Sequence, residues 1–157
     1  MLTVLSEKHA LRDSKAELYG GELVPPFECP LRAEHILQRV RDVSLGKIIA
    51  PDSFDIKSVT RIHDTGFLHF LETCWGEWVA SGYKGEAIAT CWPARGMQLR
   101  IPDHIDGKLG YYALAAETAI SNGTWEAARA SVDVALTAQA VMRDGAREAF
   151  ALCRPPG

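Results

Sequence analysis

Three short apolar runs fix the fold class of this chain. Residues 2–5, 47–50 and 150–153 read as strands, and most of the sequence between them carries apolar residues at helical spacing. Strands separated by helices pair in parallel through crossover connections, so the expected class is α/β, with a central parallel sheet flanked by helices. The last run says most. It breaks at Arg154 into Pro155-Pro156-Gly157, and proline cannot donate to a ladder, so the strand ends there. In open parallel sheets chemistry sits in the loops just past the carboxyl ends of strands. The chain is therefore expected to reach an active-site loop without supplying its chemistry.

Pro30 suits the first turn of a helix in which Ala33, Ile36, Leu37, Val40 and Val43 recur and which Gly46 ends. Residues 55–63 read as a short helix. Asp64 reads as the N-cap of an amphipathic, aromatic helix carrying Phe67, Leu68, Phe70, Leu71, Cys74, Trp75, Trp78 and Val79. Residues 109–121, apolar nearly all round, read as a buried helix. Thr124 reads as the cap of a last helix reaching about Arg143, with Trp125, Ala128, Val132, Leu136 and Ala140 inward.

Two stretches lack a period. Residues 17–27 hold Gly20, Gly21, Pro25 and Pro26 and are expected to form a long loop. Residues 82–108 hold Gly82, Gly85, Pro93, Gly96, Pro102 and Gly107, with exposed-looking Tyr83, Trp92 and Met97, and point to a lid, a binding loop or a subunit contact. Three strands with five helical segments leave sheet edges uncovered. The pattern thus implies the N-terminal part of a larger α/β domain.

Charge excludes some partners. Seventeen basic and 20 acidic residues give a net charge of −3, so nucleic acid is not expected. No window approaches the roughly 18 apolar residues of a membrane span, and the start lacks the basic region of a signal peptide, so a cytoplasmic protein is expected. Cys29, Cys74, Cys91 and Cys153 form no close pair and read as buried, inert thiols. His9, His35, His63, His69 and His104 show no metal-ligand spacing, and neither a serine elbow nor a phosphate loop occurs. No catalytic set and no metal site are expected from these residues. Glu17, Asp106 and Glu117 stand out by position. They read either as two solvated charges and one locally paired buried acid, or as an acidic pocket for a cation. Arg32 opposes the dipole of its helix and reads either as a surface residue or as an inward group facing an anion.

At Lys15-Ala16-Glu17-Leu18-Tyr19-Gly20-Gly21-Glu22-Leu23-Val24-Pro25-Pro26-Phe27 the chain resembles the histone deacetylase superfamily, and more closely its bacterial acetylpolyamine amidohydrolase branch. The likeness continues through Gly82-Tyr83-Lys84-Gly85-Glu86-Ala87-Ile88-Ala89-Thr90, Gly110-Tyr111-Tyr112, Ala116-Glu117-Thr118 and Arg154-Pro155-Pro156-Gly157, with His63-Asp64 before Phe67 and Leu71. It implies an arginase-like fold, of which residues 1–157 are the N-terminal portion of a single deacetylase-like domain, and zinc-dependent hydrolysis of acetylamides in the full-length protein. It also implies that Glu17, Asp106 and Glu117 contact a cationic acetylpolyamine, and that Tyr19 lines its channel. At position 106 the family more usually has Glu. Arg32 would face a cavity behind the metal, and Arg154, Pro156 and Gly157 would belong to the active-site loop. An insertion at about 73–108 would act as lid and homodimer contact, chiefly through residues 73–100. The family's acid–base histidines, zinc ligands and oxyanion-stabilising tyrosine follow Arg-Pro-Pro-Gly, so this chain alone is expected to bind no zinc and to be inert. A non-catalytic partner or dimerisation module, or a fragment of a protein acetyl-lysine deacetylase, are the alternatives.

Overall fold

The computed structural model describes residues 1–155. In chain order these form β1 (Leu2–Val4), β2 (Glu17–Tyr19), β3 (Glu22–Val24), α1 (Pro30–Asp42), β4 (Ile48–Ile49), α2 (Lys57–Thr60), α3 (Thr65–Ala80), α4 (Ile105–Tyr112), α5 (Thr124–Arg143) and β5 (Ala149–Ala151), with a 3-10 turn over Glu7–Leu11. Two compact units result. One holds Met1–Asp13, Glu28–Ile62 and the described residues from Gly123 onward; the other holds Ser14–Phe27 and His63–Asn122.

The first unit is α/β. Its sheet is parallel, in the order β4-β1-β5, with Val4 facing Ile49 on one side and Ala151 on the other. Side chains alternate across a strand. Leu2 and Val4 therefore share a face with Ile49, Ala149 and Ala151, and these pack with Val134 and Ala138 of α5 into one core. The face of α5 that is buried comprises Ala127, Ala130, Val134, Thr137 and Ala138. The expected inward set, Trp125, Ala128, Val132, Leu136 and Ala140, is only half-buried. Both stripes are apolar enough to serve, and the one with small residues admits the closer approach to an alanine-rich sheet. The N-cap of α5 is Gly123 rather than Thr124. Gly123 is left-handed, and a Cβ there would lie 2.6 Å from the Leu11 carbonyl oxygen of the 3-10 turn, so glycine is required twice over.

The second unit is organised by α3. Asp64 Oδ1 accepts the Phe67 amide at 3.0 Å, the N-cap expected from sequence. Phe70, Cys74 and Trp78 recur every fourth residue and pack with Ala87, Ala89, Ile105, Leu109 and Ile120. The buried helix expected over residues 109–121 is not formed. The helix is α4, which ends at Tyr112, and Leu114 is 98% exposed. Its continuation is pre-empted by pairing elsewhere. Ile120 exchanges two backbone hydrogen bonds of 2.9 Å with Ala87, and the Trp92 indole donates to the Ala113 carbonyl at 2.8 Å. A run of good helix formers thus loses to long-range partners for its backbone.

The loop expected over residues 17–27 is likewise corrected, because β2 and β3 form an antiparallel hairpin there. Gly20 and Gly21 have φ of +60° and +88°, the paired positive angles of a tight hairpin turn, so the glycines that argued against regular structure instead close it. The cysteines also differ from expectation. All four are free, but Cys74 alone is buried, Cys29 and Cys153 are half-buried, and Cys91 is exposed. Cys91 stands at the end of the alternating run that buries Ala87 and Ala89, where that run has left the core.

Two glycines give opposed tests of this packing. A Cβ on Gly110 of α4 would meet the Cys91 carbonyl oxygen at 1.8 Å, whereas Gly76 of α3 is exposed with open space around its Cα. Gly110→Ala is expected to destabilise by about 1–3 kcal/mol. Gly76→Ala is expected to stabilise by about 1 kcal/mol. Chemical denaturation of both variants measures the two signs.

Candidate functional site

Glu17, Tyr19, Asp106 and Glu117 all belong to the second unit. Glu17 and Tyr19 are two residues apart on β2 and so point to one face of the hairpin. Glu17 is 8% exposed and Tyr19 is 63% exposed. One carboxylate is thus enclosed by the protein, beside an aromatic ring that is largely in solvent. The register pairs Glu17 with Val24, Leu18 with Leu23 and Tyr19 with Glu22.

The base of the hairpin is held by a residue to which sequence reasoning gave no role. The Glu86 carboxylate accepts the Lys15 amide at 3.0 and 3.1 Å and the Ala16 amide at 3.2 Å. Glu86 is itself fixed on both sides. The Trp78 indole donates to the Gly85 carbonyl at 2.8 Å, and Ala87 is bridged to Ile120. Trp78 also stacks on Tyr83 with ring centroids 3.9 Å apart. Residues 82–104 are irregular, as expected, yet they are cross-linked at these points.

Asp106 is not in a loop. It lies half-buried in the first turn of α4, where the helix dipole favours a carboxylate, and its amide donates to His104 Nδ1 at 3.3 Å. Glu117 is exposed on a turn rather than on an apolar helix, because α4 has already ended. Near α4, Lys108 Nζ lies 2.7 Å from Glu77, which also accepts the Thr73 hydroxyl at 2.8 Å. The Lys108 hydrogen bond, then that of Thr73, holds the Glu77 carboxyl below its ordinary range. Burial, and after it Glu77, pushes the Cys74 thiol up to about 12, so this sulfur is no nucleophile. Tyr112 stacks on Phe70 with centroids 4.8 Å apart, and burial followed by the Asp64 charge raises its phenol.

Arg154 belongs to the first unit and is 3% exposed. Its guanidinium donates through Nη1 to the carbonyls of His9 and of Arg12, the latter at 2.7 Å. Nη2 donates to the Glu28 carbonyl at 3.4 Å, and Nε stands 2.8 Å from Glu28 Oε1, an ion-pair distance without hydrogen-bond alignment. Arg12 Nη1 reaches the same Glu28 carbonyl at 3.4 Å. Arg32 is exposed in the first turn of α1 and forms its ion pair with Glu28. One glutamate therefore joins three arginines; Arg32 and Arg154 were singled out from sequence, Arg12 and Glu28 were not. Pro156 and Gly157 lie outside the described residues.

Among the described residues no three His, Cys, Asp or Glu side chains come together to hold a metal ion. No helix among them is long and apolar enough to cross a membrane.

Residues 26–157 match the family model of the histone deacetylase domain. Over 157 residues the chain is 53% identical to an acetylpolyamine amidohydrolase of Mycoplana ramosa, and 43% identical to acetylpolyamine amidohydrolase 2 of Pseudomonas aeruginosa. Each match covers 100% of this chain and 46% of the relative, so the chain spans just under half the length of these proteins. The crystal structure of an acetylpolyamine aminohydrolase from Burkholderia pseudomallei superposes with a TM-score of 0.88 at 32% identity, covering 100% of this chain and 45% of that one.

The Arg154 cluster gives a pH prediction. His9 is buried, and burial, then the Arg154 cation, lowers its imidazole below the ordinary 6.5, against the opposing pull of Glu34 and Glu7. As pH falls through 6.5 the unfolded chain binds a proton that the folded His9 declines, so stability is lost in that direction. His9→Gln is expected to remove this part of the decline, read as a smaller fall in thermal midpoint between about pH 7.5 and pH 5.5.

Proposed function

Because this chain belongs to the histone deacetylase domain family, we propose that it is the N-terminal, substrate-binding portion of a zinc-dependent amidohydrolase that removes acetyl groups from acetylpolyamines. The observation that carries this reading is the name shared by relatives that align along the whole chain, acetylpolyamine amidohydrolase. The residues of the second unit agree with it. Glu17 and Asp106 are carboxylates with restricted surroundings, and Tyr19 offers an exposed ring face beside Glu17. A polyamine chain presents ammonium groups separated by methylenes, which such carboxylates and a ring face can bind. Glu117, exposed, would meet the cation at the mouth of the site.

Zinc, when bound, polarises the acetamide carbonyl and lowers the pKa of its water. Its ligands and the general base would be supplied by residues outside this chain. The chain's own residues bind and orient the cationic tail. Residues 73–108 would serve as lid and homodimer contact, a role supported by the exposure of Trp92, Met97, Leu99 and Ile101. The protein would act in the cytoplasm.

The full-length protein is expected to hydrolyse acetylputrescine with a kcat/KM at least about tenfold above that for an acetyl-lysine peptide, the margin that one charge-assisted contact supplies. A preference for the peptide would overturn the substrate reading. Elemental analysis of the 157-residue chain alone is expected to find no stoichiometric zinc. One tightly bound zinc per chain would refute the division between binding and chemistry.

A further inference from the structure

Glu86 stands where it controls the geometry of the hairpin without belonging to it. The carboxylate takes the amides of Lys15 and Ala16, the two residues immediately before Glu17. An ionised carboxylate accepting backbone amides is among the stronger hydrogen-bond arrangements, and its direction is fixed by the planes of two peptides. Glu86 cannot drift to follow the hairpin. Gly85 on one side is held by the Trp78 indole, and Ala87 on the other exchanges two backbone hydrogen bonds with Ile120. Trp78 and Ile120 both belong to the buried cluster of this unit. The Glu86 side chain therefore references the base of the hairpin to the core.

We propose that Glu86 is a positioning residue for cation recognition, setting through the Lys15 and Ala16 amides the place that Glu17 and Tyr19 present to the polyamine tail. This rests on the acetylpolyamine reading. Glu86 touches no reacting atom, so its loss acts on where the tail is held and not on the acetamide chemistry. That separates it from a residue needed only for folding, which would depress every substrate alike.

The test uses the full-length protein with Glu86→Gln and Glu86→Ala. Two acetamides of matched length are compared, one ending in an ammonium group and one ending in a methyl group. Glu86→Ala is expected to raise KM for the ammonium substrate about tenfold with kcat little changed, the size set by losing one charge-assisted hydrogen bond. KM for the methyl-ended substrate is expected to stay as in wild type, and Glu86→Gln, which keeps one acceptor oxygen, to lie between. Hydrogen exchange at the Lys15 and Ala16 amides is expected to quicken in both variants. Equal losses on the two substrates, or an unchanged KM for the ammonium substrate, would overturn the proposal. Should the wild-type protein turn over no acetylpolyamine, the acetylpolyamine reading fails. The exchange rates then still decide the hold on the hairpin, and unaltered rates at Lys15 and Ala16 would refute it.

Discussion

Val4 is fully buried between two parallel neighbours and beneath α5, and the sheet-bearing unit depends on that contact. The partners around it are small. Ala149, Ala151 and Ala138 leave room for a helix to lie close on the strands, and the loss of apolar surface to water is what drives it there. The same closeness continues at the start of α5, where Gly123 admits the Leu11 carbonyl. The 3-10 turn carrying Leu11 is also gripped from the far end of β5, since Arg154 binds the carbonyls of His9 and Arg12. A buried guanidinium is costly unless its donors are matched. Here the carbonyls of His9, Arg12 and Glu28 take the Nη donors and the Glu28 carboxylate offsets the charge at Nε, so Arg154, three residues beyond β5, is fixed by residues from the N-terminal part of the chain.

What was legible in the sequence follows from where each element's partners come from. β1, β4 and β5 were readable because short apolar runs bounded by polar or Pro/Gly residues have few other uses. Asp64 as a cap and Pro30 as a first-turn residue were readable because both act within their own helix. Residues 109–121 were misread for the converse reason. Nothing local tells Ile120 that its amide and carbonyl will be taken by Ala87, more than 30 residues earlier in the sequence. The face of α5 was misread because an alanine-rich helix offers two apolar stripes, and only the sheet selects between them. The hairpin was misread because paired glycines were weighed as breakers, although two positive φ angles in succession are what a tight hairpin needs.

The candidate site was less legible than the fold. Glu17, Asp106 and Glu117 stood out by position, as solvated charges or as an acidic pocket, but Tyr19 and the polyamine role came through family likeness. The surroundings of Asp106 became clear only once α4 was seen to begin at Ile105. Glu28 and Glu86 escaped notice for a simpler reason. Glu28 acts partly through its own backbone carbonyl and Glu86 acts on backbone amides, and a backbone amide or carbonyl has no residue type by which a sequence can announce it. Glu86 sits in a run that marks the family, yet its chemistry depends on amides about 70 residues away.

The proposed binding of a cation by a chain of net charge −3 cannot rest on the net charge. Screening reduces exposed charges to short range, about 8 Å at physiological ionic strength. Affinity then depends on how firmly a few carboxylates are held. In a strand, a slip of one residue turns every side chain to the other face. Glu17 and Tyr19 share a face only while β2 keeps its register against β3. The Gly20-Gly21 turn sets that register at one end of the hairpin, and the Glu86 carboxylate sets the position of the strand at the other. With both ends fixed, the buried carboxylate of Glu17 and the exposed ring of Tyr19 would be in place, on the proposed reading, before a cation arrives. The ordering cost that a free loop would impose on such binding would then already be met by the fold.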